Sequence, residues 1–528
     1  MYNIRIVTNF IQEVVMYGTF WALVPALVAI VVALLTKEVY ISLFLSIIIG
    51  ALFVTEFNIA QAIQKVFVEM AAAFGAEYDG GNLTGSGNGG IIIFILELGI
   101  LVALMNKAGG ANAFGKWAMK KVTTRKGAQI ATTGLGCMLF VDDYFGRLAN
   151  GSIMQPITDK FYVSRSKLAY IVGAVSVSIC ILMPVSSWAS VIGDTIDAGN
   201  GTKAFLYTIL CNFYPFLMLA FLFVSISLGI DLFGIRKQEL TAIRTKDVTC
   251  GLKATSSDEK IEISGKGTPL DLILPVGALI VSVCCMLFFA NTDTNTALAC
   301  GGCIAIIFTM ILYLPRKLMS LRQFTACFGE GFKSIAEVVI ILVFAWTLVR
   351  MCEALGMKEF IETIADKMLG LTWLLPAIFF LCAMGISFSI GTSWGTFLIM
   401  VPIVVDFGLS GSTHWLTIAA VLSGSVFGNQ VSPISDTTIL SASACKANHL
   451  EYVKAQMPTA LIIAAITLLS FLAAGLSDTV WVGWIVAIVL LGAFITTAYF
   501  VLKRKNEIMP NIKLSDLNSD EQNSQVAA

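Results

Sequence analysis

Fifteen stretches of the chain are apolar, nearly free of charged side chains and long enough to enter a lipid bilayer. A helix that crosses the hydrocarbon core needs roughly 20 such residues, and fewer where it ends inside the membrane. Only 13% of the residues are charged, whereas a soluble domain has roughly 25%. We therefore predict an all-α, polytopic membrane protein. The stretches centre on residues 17–36, 39–55, 90–106, 127–142, 147–158, 167–190, 204–229, 269–290, 297–314, 335–351, 373–391, 394–408, 414–441, 457–475 and 480–502.

Charges in the loops predict the orientation of these stretches. Residues 107–126 carry six basic side chains and no acidic one, whereas residues 56–89 carry four acidic side chains and one lysine. Cytoplasmic loops carry the excess of Lys and Arg, so 107–126 is expected inside and 56–89 outside. With fifteen stretches, the N-terminus is then expected outside and the C-terminus inside.

A polar segment, residues 231–268, divides the chain nearly in half and is expected to be a flexible cytoplasmic linker, because it has little apolar content. We expect the first transmembrane repeat in 1–230 and the second in 269–476. An additional membrane helix is expected in 477–505, and a disordered tail in 506–528.

The two halves show an internal repeat. An offset of 246 residues aligns Met154 and Pro156 with Met400 and Pro402, and Pro184 aligns with Pro433 after a small insertion. Each half has about seven membrane segments, and an odd number makes the second copy enter from the opposite side. Two inverted repeats with broken or re-entrant helices are typical of secondary transporters, which bind substrate and ion between the copies.

Polar side chains interrupt the apolar stretches in five places. A polar group inside the bilayer costs free energy, so each interruption predicts either a binding site or a helix end. Asp143 is placed to pair with Arg147 as a simple helix-end ion pair, Pro184 alone would explain a kink, and 387–396 fits a loop equally well. Pro156 and Gly151 are expected to prevent a regular helix over 150–159. The candidate site residues are Asp142, Asp143, Asn150, Ser186, Ser187, Thr392, Ser393, Asn429, Ser432, Ser435, Asp436 and Thr437.

These side chains suit Na⁺, a hard cation that prefers carboxylate, hydroxyl and carbonyl oxygens. Asp142 and Asp436 are the predicted carboxylate ligands, with the remaining candidates as supporting oxygens. A buried carboxylate without its cation favours a proton, so Na⁺ and H⁺ are expected to compete. Helix breaks also present N-terminal amides that suit an organic carboxylate.

Other functional classes find little support. The net charge of zero argues against nucleic acid as a partner. Gly110–Lys116 has the glycine and lysine spacing of a phosphate loop, but Trp117 replaces the Ser or Thr that binds Mg²⁺. His414 and His449 lie near span ends, and neither is near a likely partner Cys or His. We therefore expect no cofactor and no enzymatic activity. A channel would need a continuous polar lining rather than separate patches.

Two motifs resemble a known family. Phe140–Tyr170 contains D-D-Y, M-Q-P-I-T-D-K and S-R-S-K-L-A-Y, and Ser432–Thr438 reads S-P-I-S-D-T-T. These elements resemble the NhaC family of sodium/proton antiporters, and the likeness covers most of residues 17–475. The resemblance implies a multi-pass secondary transporter of the bacterial inner membrane, within the ion-transporter superfamily. Members often carry an acidic residue shortly after L-A-Y and Asp-His before S-P-I-S-D, where Gly173-Ala174-Val175 and Asn429-Gln430 stand here.

These departures remove two titratable positions, and proton coupling needs a group that titrates. The main hypothesis is a Na⁺/H⁺ antiporter that exchanges ions at a midplane carboxylate site. The alternative is a Na⁺-coupled carrier or exchanger of amino acids or small carboxylates. The expected partners are the lipid bilayer, Na⁺ and, under the alternative, a small organic solute. A homo-oligomer is compatible with the sequence.

Overall fold

The structure is a computed structural model that places a helical bundle across most of the chain. The described residues are 17–36, 38–74, 76–79, 82–85, 88–110, 113, 117, 121–196, 201–253, 267–288, 294–357, 359–360, 371–433 and 435–513. Among them, seven helices are long and apolar enough to cross a membrane, and four shorter apolar helices accompany them. The predicted all-α, multi-pass membrane fold is confirmed, with one small exception. A β-hairpin pairs β1 (Ala76–Asp79) with β2 (Asn82–Gly85).

The first half of the chain forms eleven described helices. They are α1 (Val24–Thr36), α2 (Val39–Val54), α3 (Ile59–Ala73), α4 (Asn88–Ala108), α5 (Arg125–Met138), α6 (Asp143–Lys160), α7 (Arg165–Leu182), α8 (Ser187–Ile196), α9 (Gly201–Cys211), α10 (Phe213–Leu228) and α11 (Phe233–Thr245). Short 3₁₀ turns at Phe20–Leu23 and Thr372–Leu374 precede α1 and the fourth helix of the second half.

The second half forms nine described helices. They are α12 (Leu270–Phe288), α13 (Thr294–Tyr313), α14 (Leu321–Ala354), α15 (Leu375–Ile390), α16 (Ser393–Asp406), α17 (Gly411–Val431), α18 (Asp436–Ala444), α19 (His449–Ser477) and α20 (Val480–Arg504). The helix α14 is much longer than the predicted 335–351, because a capping box at Ser320 and Gln323 starts it about four turns before the apolar stretch.

Four helix breaks interrupt the bundle, and each is followed by a helix of 18 residues or fewer. The breaks lie at 139–142, 183–186, 391–392 and 432–435, and we call them breaks A, B, C and D in that order. Breaks B and D contain Pro184 and Pro433, as expected from the missing proline amide. Break C contains Gly391 at φ +84, which favours glycine.

The helix α6 corrects one expectation. Residues 150–159 form a regular part of α6 although Pro156 lies inside it, so this stretch is not a break. Pro156 has no amide to donate, so it removes the helical hydrogen bond to the Ser152 carbonyl, and the helix continues through it. Pro402 likewise lies within α16.

The centre of the bundle is α7, in which 94% of the residues are buried, whereas only 17% of the residues in the apolar stretch of α20 are buried and that helix lies at the periphery. The short helices that follow the breaks contact one another across the two halves: α6 contacts α18, and α8 contacts α16. This reciprocal pattern is compatible with two related halves. The inversion of the second half stays a prediction.

The polar segment between the halves is not wholly a flexible linker. Its first part forms α11, which packs against α19 and buries Ile235, Glu239 and Ala242. Glu239 forms a buried ion pair with Arg125 at the start of α5 and accepts from the Ser164 amide at 2.6 Å. Polar composition concealed this helix, because its buried face carries a paired charge. Beyond α11, residues 246–253 and 267–268 of this segment are described, and 254–266 lies outside the described residues.

The start of the predicted disordered tail is ordered as well. Residues Glu507–Lys513, which we call the C-terminal segment, return to the beginning of α5. The Arg125 amide donates to the Ile512 carbonyl at 2.9 Å, and the Met509 amide donates to the Gly229 carbonyl at 3.0 Å. Residues 514–528 lie outside the description.

Candidate functional site

Breaks A and B lie next to each other and bring two predicted site residues together. The Ser187 hydroxyl donates to Asp142 Oδ2 at 3.4 Å, and the Ser187 amide donates to the Val141 carbonyl at 3.0 Å. Asp142 is half-buried. The start of α8 therefore presents the Ser187 hydroxyl to the carboxylate of break A.

Asp143 has different surroundings from its neighbour. It is 1% exposed, accepts from Trp188 Nε1 at 3.2 Å, and lies 3.8 Å from Arg147 Nε. The simple alternative from the sequence, an ion pair one helical turn apart, is therefore present in the structure. The two adjacent carboxylates therefore differ in their partners: Asp143 pairs with Arg147, whereas Asp142 lies in break A and accepts from the Ser187 hydroxyl.

Arg147 joins the two halves of the protein. Its guanidinium is fully buried and donates to Ser441 Oγ at 3.0 Å and to the Thr437 carbonyl at 3.4 Å, both on α18. A Cβ at Gly173 would lie 2.6 Å from Tyr452 Oη and 3.3 Å from Arg147 Nη1. Gly173, the first residue of the Gly173-Ala174-Val175 stretch, therefore has no room for a larger side chain beside the guanidinium.

Break D gathers four of the predicted oxygens. Asn429 Oδ1 accepts from Ser435 Oγ and from Thr437 Oγ1, the latter at 3.1 Å. Ser432 Oγ donates to the Phe388 carbonyl on α15 at 2.7 Å. All four side chains are buried. Asp436 begins α18, but its side chain lies outside the described part of the structure.

Break C carries the two remaining hydroxyls of the second half. Ser393 Oγ donates to the Ser425 carbonyl at 3.1 Å, and Ser387 Oγ donates to the same carbonyl at 2.7 Å. Thr392 is half-buried, and its carbonyl accepts from Thr396 Oγ1 at 2.9 Å. Two hydrogen bonds therefore join break C to α17 at Ser425, one helical turn before Asn429.

Two predicted site residues have structural contacts elsewhere. Ser186 caps α8, because its hydroxyl accepts from the Ala189 amide at 3.1 Å and donates to the Cys180 carbonyl at 2.7 Å. Asn150 Nδ2 donates to the Thr132 carbonyl at 3.0 Å, which ties α6 to α5. Neither bond reaches Asp142 or Asn429.

Sequence reasoning missed several residues that hold the site together. Trp188 packs on Trp394 and Phe397, with ring centroids 5.4 Å apart in each pair, and so joins α8 to α16. The i,i+4 spacing indicated Arg147 as a partner of Asp143 but gave no sign of its bonds to α18. Thr438 and His449 form a third contact, which only the fold brings together.

Comparison with known proteins decides the family. The model of the Na⁺/H⁺ antiporter family matches residues 179–476, which include breaks B, C and D. The chain belongs to the Na⁺/H⁺ antiporter family. An uncharacterized protein of Haemophilus influenzae is 32% identical over 486 residues, covering 86% of this chain and 91% of that protein. With its membrane-length helices, this family member is a multi-pass membrane transporter.

Two relatives of named function match shorter parts of the antiporter-family chain. The malate-2H⁺/Na⁺-lactate antiporter of Bacillus subtilis is 28% identical over 216 residues, 39% of this chain and 43% of that protein. The arginine/ornithine antiporter ArcD of Halobacterium salinarum is 34% identical over 112 residues, 20% of this chain and 23% of that protein. The family resemblance predicted from the two motifs is thereby confirmed.

Proposed function

We propose that the protein is a secondary antiporter that exchanges Na⁺ for H⁺ across the bacterial inner membrane. Membership of the Na⁺/H⁺ antiporter family supports exchange, and the observation that carries the site is Asp142 at the junction of breaks A and B. A carboxylate with a hydroxyl and helix-end carbonyls nearby suits a hard monovalent cation.

The cation in this proposal binds between Asp142 and the oxygens of breaks C and D. Asp142 and Asp436 supply the charge, and Ser187, Thr392, Ser393, Asn429, Ser432, Ser435 and Thr437 supply neutral oxygens. Asp143 is neutralised by Arg147 and acts as a positioning residue. Ser186 and Asn150 support the helices rather than the ion.

Transport in everted membrane vesicles tests this proposal. An imposed pH gradient should drive Na⁺ uptake in the wild type, and a Na⁺ pulse should dissipate that gradient. Asp142→Asn removes the charge with little change in shape, so the apparent Na⁺ affinity should fall at least ~10-fold, equivalent to about 1.4 kcal/mol. The matched control is Asp247→Asn, because the Asp247 carboxylate accepts hydrogen bonds from Thr249 and Gly251 in the loop after α11. Na⁺ flux that ignores the pH gradient would contradict the proposal.

A second candidate is a Na⁺-coupled carrier or exchanger of amino acids or small carboxylates. The names of the Bacillus and Halobacterium relatives favour it, since both exchange organic solutes. Adding malate, lactate, arginine or ornithine to the same vesicles would then stimulate Na⁺ flux severalfold, and the pH gradient alone would drive little. A solute screen by thermal stabilisation of the purified protein would identify the ligand.

A further inference from the structure

The hydroxyl of Thr438 lies between break D and a histidine from the next helix. Thr438 Oγ1 is 3.0 Å from the Ser432 carbonyl, 2.9 Å from the Ser435 carbonyl and 3.0 Å from His449 Nε2. Thr438 is fully buried and His449 is 8% exposed. A single hydroxyl therefore contacts two carbonyl oxygens of the helix break and one titratable ring nitrogen.

The hydrogen of this hydroxyl can bond in only one direction at a time. A hydroxyl has one hydrogen to donate, and both nitrogens of a protonated imidazole are donors. When His449 is protonated, Nε2 donates to Thr438 Oγ1, so the hydroxyl hydrogen goes to the carbonyls of Ser432 and Ser435. When Nε2 is bare, it accepts the hydroxyl hydrogen, and the two carbonyls keep only their backbone donors, the Ser435 amide at 3.4 Å and the Ile439 amide at 3.1 Å.

We propose that His449 is the proton-responsive positioning residue of the exchange and controls, through Thr438, whether the carbonyls of break D are available to the cation. This inference rests on the proposed Na⁺/H⁺ exchange and supplies a titratable group for it. A proton on His449 and Na⁺ beside break D disfavour each other. By linkage, each weakens the binding of the other by the same factor.

Several charged groups on the elements near α19 form ion pairs with one another. Within the described residues, Glu239 pairs with Arg125, Lys167 with Asp231, Arg165 with Asp159, and Glu451 with Lys454. Two further charged residues bond beside the pair: Arg147 donates to the Thr437 carbonyl, and the Lys253 carbonyl accepts from Asn448. The other charged and titratable groups on α6, α7, α11 and its following loop, α18, α19 and α20 include Asp159, Arg165, Lys167, Asp231, Arg236, Lys237, Glu239, Asp247, Asp436, Cys445, Lys446, Glu451, Tyr452, Lys454, Lys503 and Arg504.

The size of the effect follows from a single hydrogen bond, which changes an equilibrium by about three- to tenfold. Na⁺ binding to the purified full-length protein is measured by isothermal titration at pH 8 and pH 5.5, on either side of the ordinary His pKa of about 6.5. Carboxylates titrate in every variant and change the Na⁺ affinity by a common factor. Beyond that common factor, the wild-type affinity for Na⁺ should be about three- to tenfold weaker at pH 5.5 than at pH 8. That extra factor should disappear in Thr438→Val and remain in Thr438→Ser, which keeps the hydroxyl.

The second histidine provides a control. His414→Gln should keep the wild-type pH effect, whereas His449→Gln should lose it. The chain has only two histidines, so NMR of labelled His in the His414→Gln protein reports His449 alone. Na⁺ should lower the midpoint of the His449 titration by about 0.5 to 1 pH unit. When Thr438→Val is added to the same protein, Na⁺ should no longer shift this midpoint.

Two outcomes separate the claims. Suppose that the wild type binds Na⁺, that Thr438→Val keeps the wild-type pH effect, and that Na⁺ does not shift the NMR midpoint of His449. This inference is then wrong and the proposed exchange stands. If the wild type binds no Na⁺ at either pH, the proposed exchange is wrong and this inference falls with it. The NMR measurement applies even if His449→Gln fails to fold.

Discussion

At the scale of single residues, Arg147 is a fully buried charge that depends on its partners in both halves of the protein. Its guanidinium is fully buried, lies 3.8 Å from Asp143 on its own helix, and donates across the halves to Ser441. Burying one member of an ion pair without the other costs more free energy than the pair contributes. Arg147 therefore sets the position of α18 against α6.

Replacing Arg147 by Met should destabilise the protein by about 3 to 5 kcal/mol, because Asp143 would be left buried without its cation. Thermal unfolding in detergent measures this loss. Arg322→Met is the matched control, since Arg322 lies exposed on α14 and should change stability by less than about 0.5 kcal/mol. Arg147→Met with wild-type stability would show that Asp143 does not need this partner.

Sequence alone indicated part of the site at this scale. Asp142 and Ser187 were predicted because polar groups stood in apolar stretches, and the fold places them in contact. The link from His449 to Thr438 could not be predicted, because it joins two helices across a turn whose geometry the sequence does not give. Asp143 and Arg147 show the opposite case, in which the spacing of four residues was sufficient.

At the scale of helices, α15 and α17 pack unusually closely beside breaks C and D. A Cβ at Gly428 would lie 2.6 Å from the Phe388 amide nitrogen and 2.7 Å from the Met384 carbonyl. A Cβ at Gly424 would lie 2.5 Å from the Phe380 carbonyl. Backbone atoms cannot move aside as side chains do, so these glycines fix the approach of the two helices.

Gly428→Ala should therefore force α15 and α17 apart and cost about 1 to 3 kcal/mol, the usual range for overpacking. Gly385→Ala on α15 is the matched control, because no atom lies within 4 Å of its added Cβ. That control should be neutral or stabilising by up to ~1 kcal/mol. Thermal unfolding of both variants decides the point, and equal melting temperatures would contradict the close packing.

Helix breaks were more predictable than helix extents. Pro184 and Pro433 lie in breaks B and D because a proline removes a backbone donor. Pro156 has the same chemistry but lies on the half-exposed face of α6, where the chain tolerates it. The helix α11 was missed because its buried contact is a Glu239 ion pair, and polar composition alone cannot distinguish a paired acid from a solvated one.

At the scale of the whole molecule, the inversion of the two halves makes a prediction about sidedness. The helices α8 and α18 follow the corresponding breaks B and D. If the halves are inverted, the chain leaves α8 on the outside and α18 on the inside. Lys203 and Lys446 are exposed just beyond these helix ends and are suitable labelling positions.

Cysteines at Lys203 and Lys446 should therefore react with an impermeant maleimide from opposite faces of the membrane. The background protein would have its exposed native cysteines, Cys285, Cys303 and Cys382, replaced first. We expect Lys203→Cys to react in intact cells and Lys446→Cys only in everted vesicles. Reaction of both from one side would rule out inverted halves.

The return of the C-terminal segment to α5 also determines where the protein can be altered at its end. Residues 509–512 share backbone hydrogen bonds with Gly229 and Arg125, so they belong to the folded body although they follow the last helix. A purification handle or fluorescent fusion joined directly after α20 would displace these residues from their partners. The same addition placed beyond Lys513 leaves them in place, and that is where a fusion design should begin.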